Sequence, residues 1–146
     1  MSRLLGRTKQ IMAAVFTNSK GFDRHAKPVE LVSITDNGKA KFQWTVDESQ
    51  VNGLKTLHGG FTAFIVDVTT TVMLITLGKN RPGVSIELNV SYMKPARIGE
   101  VVTLETECKK LGSSLAFTEA VIKNSKGDLL ATAKHTKYVG DLEKKQ

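Results

Sequence analysis

Hydrophobic positions change period twice along this chain. Over residues 1–22, Leu4, Leu5, Ile11, Met12, Val15 and Phe16 recur at helical spacing, which predicts an amphipathic amino-terminal helix. Pro28 interrupts the pattern, and residues 29–35 read as a strand that turns at Asp36-Asn37-Gly38, a hairpin signal. In the return strand Ala40, Phe42, Trp44 and Val46 alternate with Lys39, Lys41, Gln43 and Thr45, so one face is apolar.

Residues 60–77 form the one long apolar stretch, and propensity and length disagree about it. Val66, Val68, Thr69, Thr70, Thr71 and Val72 are β-branched and favour strand, but the run is far longer than a usual strand. A buried helix from His58-Gly59-Gly60 to a stop at Gly78 is the better reading. It is apolar on nearly every side, so a second subunit is expected to finish covering it.

From Arg81 the period is two. Val84, Ile86, Leu88, Val90 and Tyr92 share one face, with Ser85, Glu87, Asn89 and Ser91 on the other. Three further strands are predicted over 101–111, 115–123 and 129–139, joined by turns at Gly112 and Ser125-Lys126-Gly127, so that they form an antiparallel meander. The fold class is α+β: a long central helix against an antiparallel sheet of about six strands, with an amino-terminal helix added. One domain is expected over 1–146, divided into helix and linker (1–27), core (28–140) and polar tail (141–146).

Composition adds limits to this picture. A chain of 146 residues with 40% hydrophobic and 24% charged residues has ordinary globular usage. Cys108 is alone, so there is no intramolecular disulfide and no paired-cysteine zinc spacing. An intracellular protein is expected, cytosolic or mitochondria-associated, because the basic, acid-free amino terminus shares the character of transit peptides as well as that of packed terminal helices. No transmembrane segment is expected, since the apolar stretch contains Asp67 and five threonines and is short for a bilayer core of ~30 Å. The formal charge of +7 favours anionic partners. Nucleic acid is only a runner-up, because the cations are not interleaved with aromatics.

Asp67 is the sharpest anomaly. A carboxylate among Phe64, Ile65, Val66 and Val68 needs a partner, either a plain hydrogen bond to backbone or threonine, or a role as general base. His58-Gly59-Gly60 lies at the predicted helix start, where unpaired N–H groups can polarise a carbonyl, although a glycine-rich turn is the plain alternative. Eight residues of helix separate Gly59 from Asp67, about 12 Å along the axis. One helix cannot supply both groups to one carbonyl, but two helices related by a two-fold axis could. The nucleophile elbow, the phosphate-binding loop, the dinucleotide fingerprint and the helical zinc motif are all missing from the sequence. His25, His58 and His135 are scattered and suggest no metal site, and Cys108 reads as a structural cysteine within a strand.

Asn52, Thr56-Leu57-His58-Gly59-Gly60, Val66-Asp67, Gly83-Val84-Ser85, Tyr92-Met93, Pro95-Ala96, Leu115-Ala116-Phe117-Thr118 and His135-Thr136-Lys137 together resemble the acyl-coenzyme A thioesterases of the hotdog superfamily. The resemblance implies a helix wrapped by a sheet, and dimers with shared active sites, commonly paired into dimers of dimers. It implies hydrolysis of medium- to long-chain fatty acyl-coenzyme A to free acid and coenzyme A, which is part of the substrate and not a required cofactor. By the same resemblance Asn52 and Gly59 polarise the thioester carbonyl, with His58 beside them, while Asp67 and Ser85 activate water.

Coenzyme A contacts are implied at Tyr92, Met93, Lys94, Pro95, Ala96 and Arg97, at the turn Lys110, Leu111, Gly112, Ser113, Ser114 and Leu115, and at Lys137 and Tyr138. Lys94, Arg97, Lys110 and Lys137 could meet its phosphates, although Ser113 stands where the family's turn carries a second cation. Phe61, Phe64 and Ile65 are candidates for an acyl channel or for plain core. Two rival readings remain at this point: a hydratase or dehydratase using His58, and a basic lipid- or nucleic-acid-binding module.

Overall fold

A computed structural model describes residues 2–141, so the polar tail lies outside the described residues except for Asp141. The amino-terminal helix α1 (Arg3–Met12) starts at Ser2, whose hydroxyl caps the Leu5 N–H, and runs on through a wider turn to Thr17. Its buried residues Thr8 and Met12, with Phe16 beyond, face the molecule's interior. A short 3-10 turn, Phe22–Ala26, leads into the sheet.

Strands β1 (Glu30–Ile34), β2 (Lys39–Thr45), β3 (Val84–Tyr92), β4 (Val101–Leu111), β5 (Leu115–Asn124) and β6 (Leu129–Tyr138) form one antiparallel sheet in the order β1-β2-β4-β5-β6-β3. Strands β4 to β6 are the predicted meander, but β3 does not precede β4 in it. It crosses to the far edge and pairs with β6, leaving β2 to pair with β4. Gly38, at φ +83°, closes the β1–β2 turn in a conformation that L residues rarely adopt, and a Cβ there would also meet the Cβ of Cys108 at 2.9 Å.

Helix α2 (Gly59–Leu74) lies across the sheet and ends through a wider turn to Lys79, with Gly78 at φ +106°. Its β-branched residues are tolerated in a helix partly because the threonine hydroxyls return to their own helix. Thr69, Thr71 and Thr76 donate to the carbonyls of Ile65, Asp67 and Val72. Gly59–Lys79 is long and apolar enough to cross a membrane, but 56% of its most apolar window is buried. Ile65, Val66, Val72 and Met73 pack against Phe42 and Trp44 of β2, Leu104 of β4 and Ile122 of β5. Truncating a core side chain of this kind costs about 2–5 kcal/mol.

The chain's own amino-terminal helix covers part of the side of α2 turned from the sheet, with Thr8 meeting Thr76 in the turn that follows α2. Exposed apolar side chains are concentrated instead on the edge strand β3, at Val84, Ile86, Leu88 and Tyr92.

Candidate active site

Asp67 sits on α2 where the helix passes the start of β3. The acid is not enclosed in hydrocarbon, as the sequence suggested: its side chain is 42% exposed and surrounded by polar groups. Ser85 Oγ lies 3.1 Å from Asp67 Oδ1, and His135 Nε2 lies 2.9 Å from Ser85 Oγ and 3.5 Å from Asp67 Oδ1. On its other side, His135 Nδ1 is 2.7 Å from Thr70 Oγ1.

Ser85 reaches this cluster because β3 is irregular. Strict alternation puts Ser85 on the face opposite Leu88, but the register slips between Ser85 and Glu87. Ser85 then pairs with Lys137 and Leu88 with His135, and both partners have buried side chains on the face toward α2. The extra residue re-aims the serine at the helix.

Burial pushes the His135 imidazole down to about 4; the Asp67 carboxylate pulls the other way, and Lys137 adds to the lowering. His135 is therefore neutral at pH 7, with one N–H to donate. A proton on Nε2 suits both neighbours, since the Asp67 carboxylate only accepts and Ser85 is then free to donate to it. Thr70 O–H can then donate to Nδ1, Nε2–H to Ser85 Oγ, and Ser85 O–H to Asp67, a chain of donors ending on the carboxylate. Lys137 is buried too, 2.5 Å from Thr71 Oγ1, and burial lowers its ammonium while Asp67 and Asp23 raise it. Asp23, Asp67, Ser85 and Lys137 share a cavity of about 220 Å³.

The second group of site residues lies at the start of α2. His58 is the N-cap, its Nδ1 accepting the Gly60 N–H at 2.8 Å. Gly59 N–H donates to no side chain or backbone acceptor given for the described residues. Tyr92 O–H donates to the Gly59 carbonyl at 2.6 Å, and a Cβ on Gly59 would stand 3.3 Å from the Tyr92 ring. Asn52 Nδ2 donates to Thr56 Oγ1 at 3.0 Å, while its Oδ1 accepts from the Leu54 and Thr56 N–H groups. One Nδ2 proton stays available. Asn52, Gly59 and Tyr92–Ala96 line a cavity of about 380 Å³.

Residues 54–131 match the thioesterase superfamily. Acyl-coenzyme A thioesterase 13 of Mus musculus is 37% identical over 142 residues, covering 97% of this chain and 100% of the relative. The chain belongs to the thioesterase superfamily. It is a thioester hydrolase with the hotdog fold. The zebra fish thioesterase superfamily member 2 superposes with a TM-score of 0.88 at 38% identity, over 95% of this chain and 100% of that one. A hypothetical thioesterase protein of Streptococcus pneumoniae TIGR4, solved with coenzyme A, superposes with a TM-score of 0.70 at 24% identity, over 75% of this chain and 86% of that one.

In this thioesterase the residues singled out from the sequence fall into two groups, one at each end of β3. Asn52, His58, Gly59 and Tyr92–Ala96 gather at the β3 carboxyl end, with exposed Arg97 next in the chain and Lys94 paired to Asp128 at 2.6 Å. Asp67 and Ser85 gather at the β3 amino end. The hairpin Lys110–Leu115 and Tyr138 lie at this end too, since Leu115 pairs with Tyr138 and Val139 N–H donates to the Ser114 carbonyl. Lys137, expected to meet phosphate, is turned inward to Thr71. Thr70 was missed as a site residue, and His135 was noticed only as part of a motif. A polar residue recurring with the inward period of β6, alongside Ala131 and Ala133, was the available signal.

Proposed function

We propose that this thioesterase hydrolyses medium- to long-chain fatty acyl-coenzyme A at a composite site made by two copies of the chain. The observation that carries the reading is the separation of the two groups. The carboxylate and the helix-start amide stand at opposite ends of one open, apolar edge strand, about 12 Å apart along α2. Antiparallel pairing of β3 with a second β3 brings the Asp67 end of one copy to the Gly59 end of the other, twice. It also unites the two groups of implied coenzyme A contacts, Tyr92–Arg97 from one copy and Lys110–Leu115 with Tyr138 from its partner. The names of the mouse relative and of the coenzyme A-bound Streptococcus structure support the substrate class. A dimer of dimers adds copies but no further site residue.

In this mechanism Asp67 accepts a proton from water as the water oxygen attacks the thioester carbon. Ser85, held by neutral His135, fixes the carboxylate and leaves its second oxygen for water. The carbonyl oxygen becomes an oxyanion, stabilised by the Gly59 N–H of the other copy and the remaining Asn52 Nδ2 proton. When the tetrahedral intermediate collapses, the C–S bond breaks and the thiolate takes the proton from Asp67. The hydratase reading has no such support, because the Nδ1 of His58 is already taken as a helix cap.

The test is thiol release from a saturated acyl-coenzyme A series. Asp67→Asn lowers kcat by about 10²–10⁴-fold with KM little changed, as expected for a group serving the transition state. Normal turnover by Asp67→Asn contradicts the mechanism, and enoyl consumption without thiol release contradicts the reaction class.

A further inference from the structure

A third cavity, of about 410 Å³, opens beside the first turn of α2, and its walls include Phe22, His25, Val51, Gly60, Phe61 and Phe64. No Lys, Arg, Asp or Glu lines it, whereas the cavity beside Gly59 includes Lys94. Ser49, Gln50 and His58 also line it, yet its three phenylalanines and lack of Lys or Arg suit hydrocarbon better than a phosphate-bearing group. Gly59 lines one cavity and its neighbour Gly60 the other, so the helix start has a cavity carrying Lys94 on one hand and one with three phenylalanines and no Lys or Arg on the other.

The aromatic chamber runs along α2 from Gly60 to Phe64, about 6 Å at one turn. At its Phe64 end it is walled by the amino-terminal segment. Phe22 stands edge-on to Phe64 at 4.7 Å and lies tilted against His25 at 5.1 Å, yet remains 68% exposed. A phenyl ring left in water beside two other rings loses nothing in packing if a chain end slides past or under it. Residues 54–131 carry the superfamily match, and Phe22 and His25 lie outside it.

Building on the proposed acyl-coenzyme A reading, we propose that this chamber receives the acyl chain and that Phe22, supplied by the amino-terminal segment, sets the chain length. Phe22 touches the end of the hydrocarbon and takes no part in the chemistry. Methylene-scale changes in an apolar pocket alter selectivity by about 10–200-fold.

The experiment measures kcat/KM of the full chain with octanoyl- and palmitoyl-coenzyme A for wild type, Phe22→Ala and Phe22→Trp. Phe22→Ala, at an exposed position, opens the end wall and raises the palmitoyl-to-octanoyl ratio by about tenfold, whereas Phe22→Trp lowers it. An unchanged ratio in both variants overturns this inference and leaves the thioesterase reading standing. A wild type that releases thiol from neither substrate overturns both.

Discussion

The sheet has two edges, and they are finished in opposite ways. At one, β1 is five residues long, bulged between Leu31 and Ser33, preceded by Pro28, and covered by α1 at Leu31. At the other, β3 is nine residues long and exposes Val84, Ile86 and Tyr92 at 49%, 58% and 56%. Both edge strands carry a bulge, so length and cover distinguish them: short, covered strands do not recruit further strands, whereas long, open apolar ones do. The contrast supports the proposed pairing of the open edge with a second copy, through which the site residues at its two ends would meet.

Substitution separates the two edges most sharply. Leu88 is the middle residue of β3, so Leu88→Lys sets two like charges together across any pairing centred on the strand. The variant is expected to sediment as a monomer and to lose turnover about a hundredfold or more, since each copy then lacks the other half of the site.

A smaller effect concerns the cluster at the amino end of β3. His135 is held to about 4 in the fold against an ordinary 6.5, so the unfolded chain binds the extra proton between those values. The histidine's contribution to stability is therefore intact above pH 6.5 and declines as the pH falls toward 4. The slope is at most about 1.4 kcal/mol per pH unit. Denaturant midpoints of wild type and His135→Gln across that range check this, and a variant with the same slope as wild type removes the histidine from the account.

The smallest effect belongs to the closed edge. Val32→Lys on β1, at a half-exposed position, leaves the oligomer unchanged and stability within about 0.5 kcal/mol.

The elements themselves were legible in the sequence because each has a clear period. The strand predicted over 101–111 matches β4, and the helix predicted from Gly59 starts there. Three features were not legible. Sheet order is set by non-local pairing, so nothing local in β3 announces that it joins β6 at the far edge. The bulge that turns Ser85 toward Asp67 leaves an intact alternating pattern in the residues, because one extra residue changes register and not composition. Asp67 looked enclosed because its sequence neighbours are apolar, yet they point into the core while the carboxylate points along β3.

The account stands or falls on whether two copies share one reaction site. Co-expression of Asp67→Asn and Asn52→Ala chains carrying different tags allows the mixed assembly to be purified, and thiol release from it compared with each parent. If Asp67 of one copy serves Asn52 and Gly59 of the other, each purified mixed dimer holds one intact site of two and restores about half of wild-type turnover. Mixed assemblies no more active than their parents would show that each chain works alone and contradict the account.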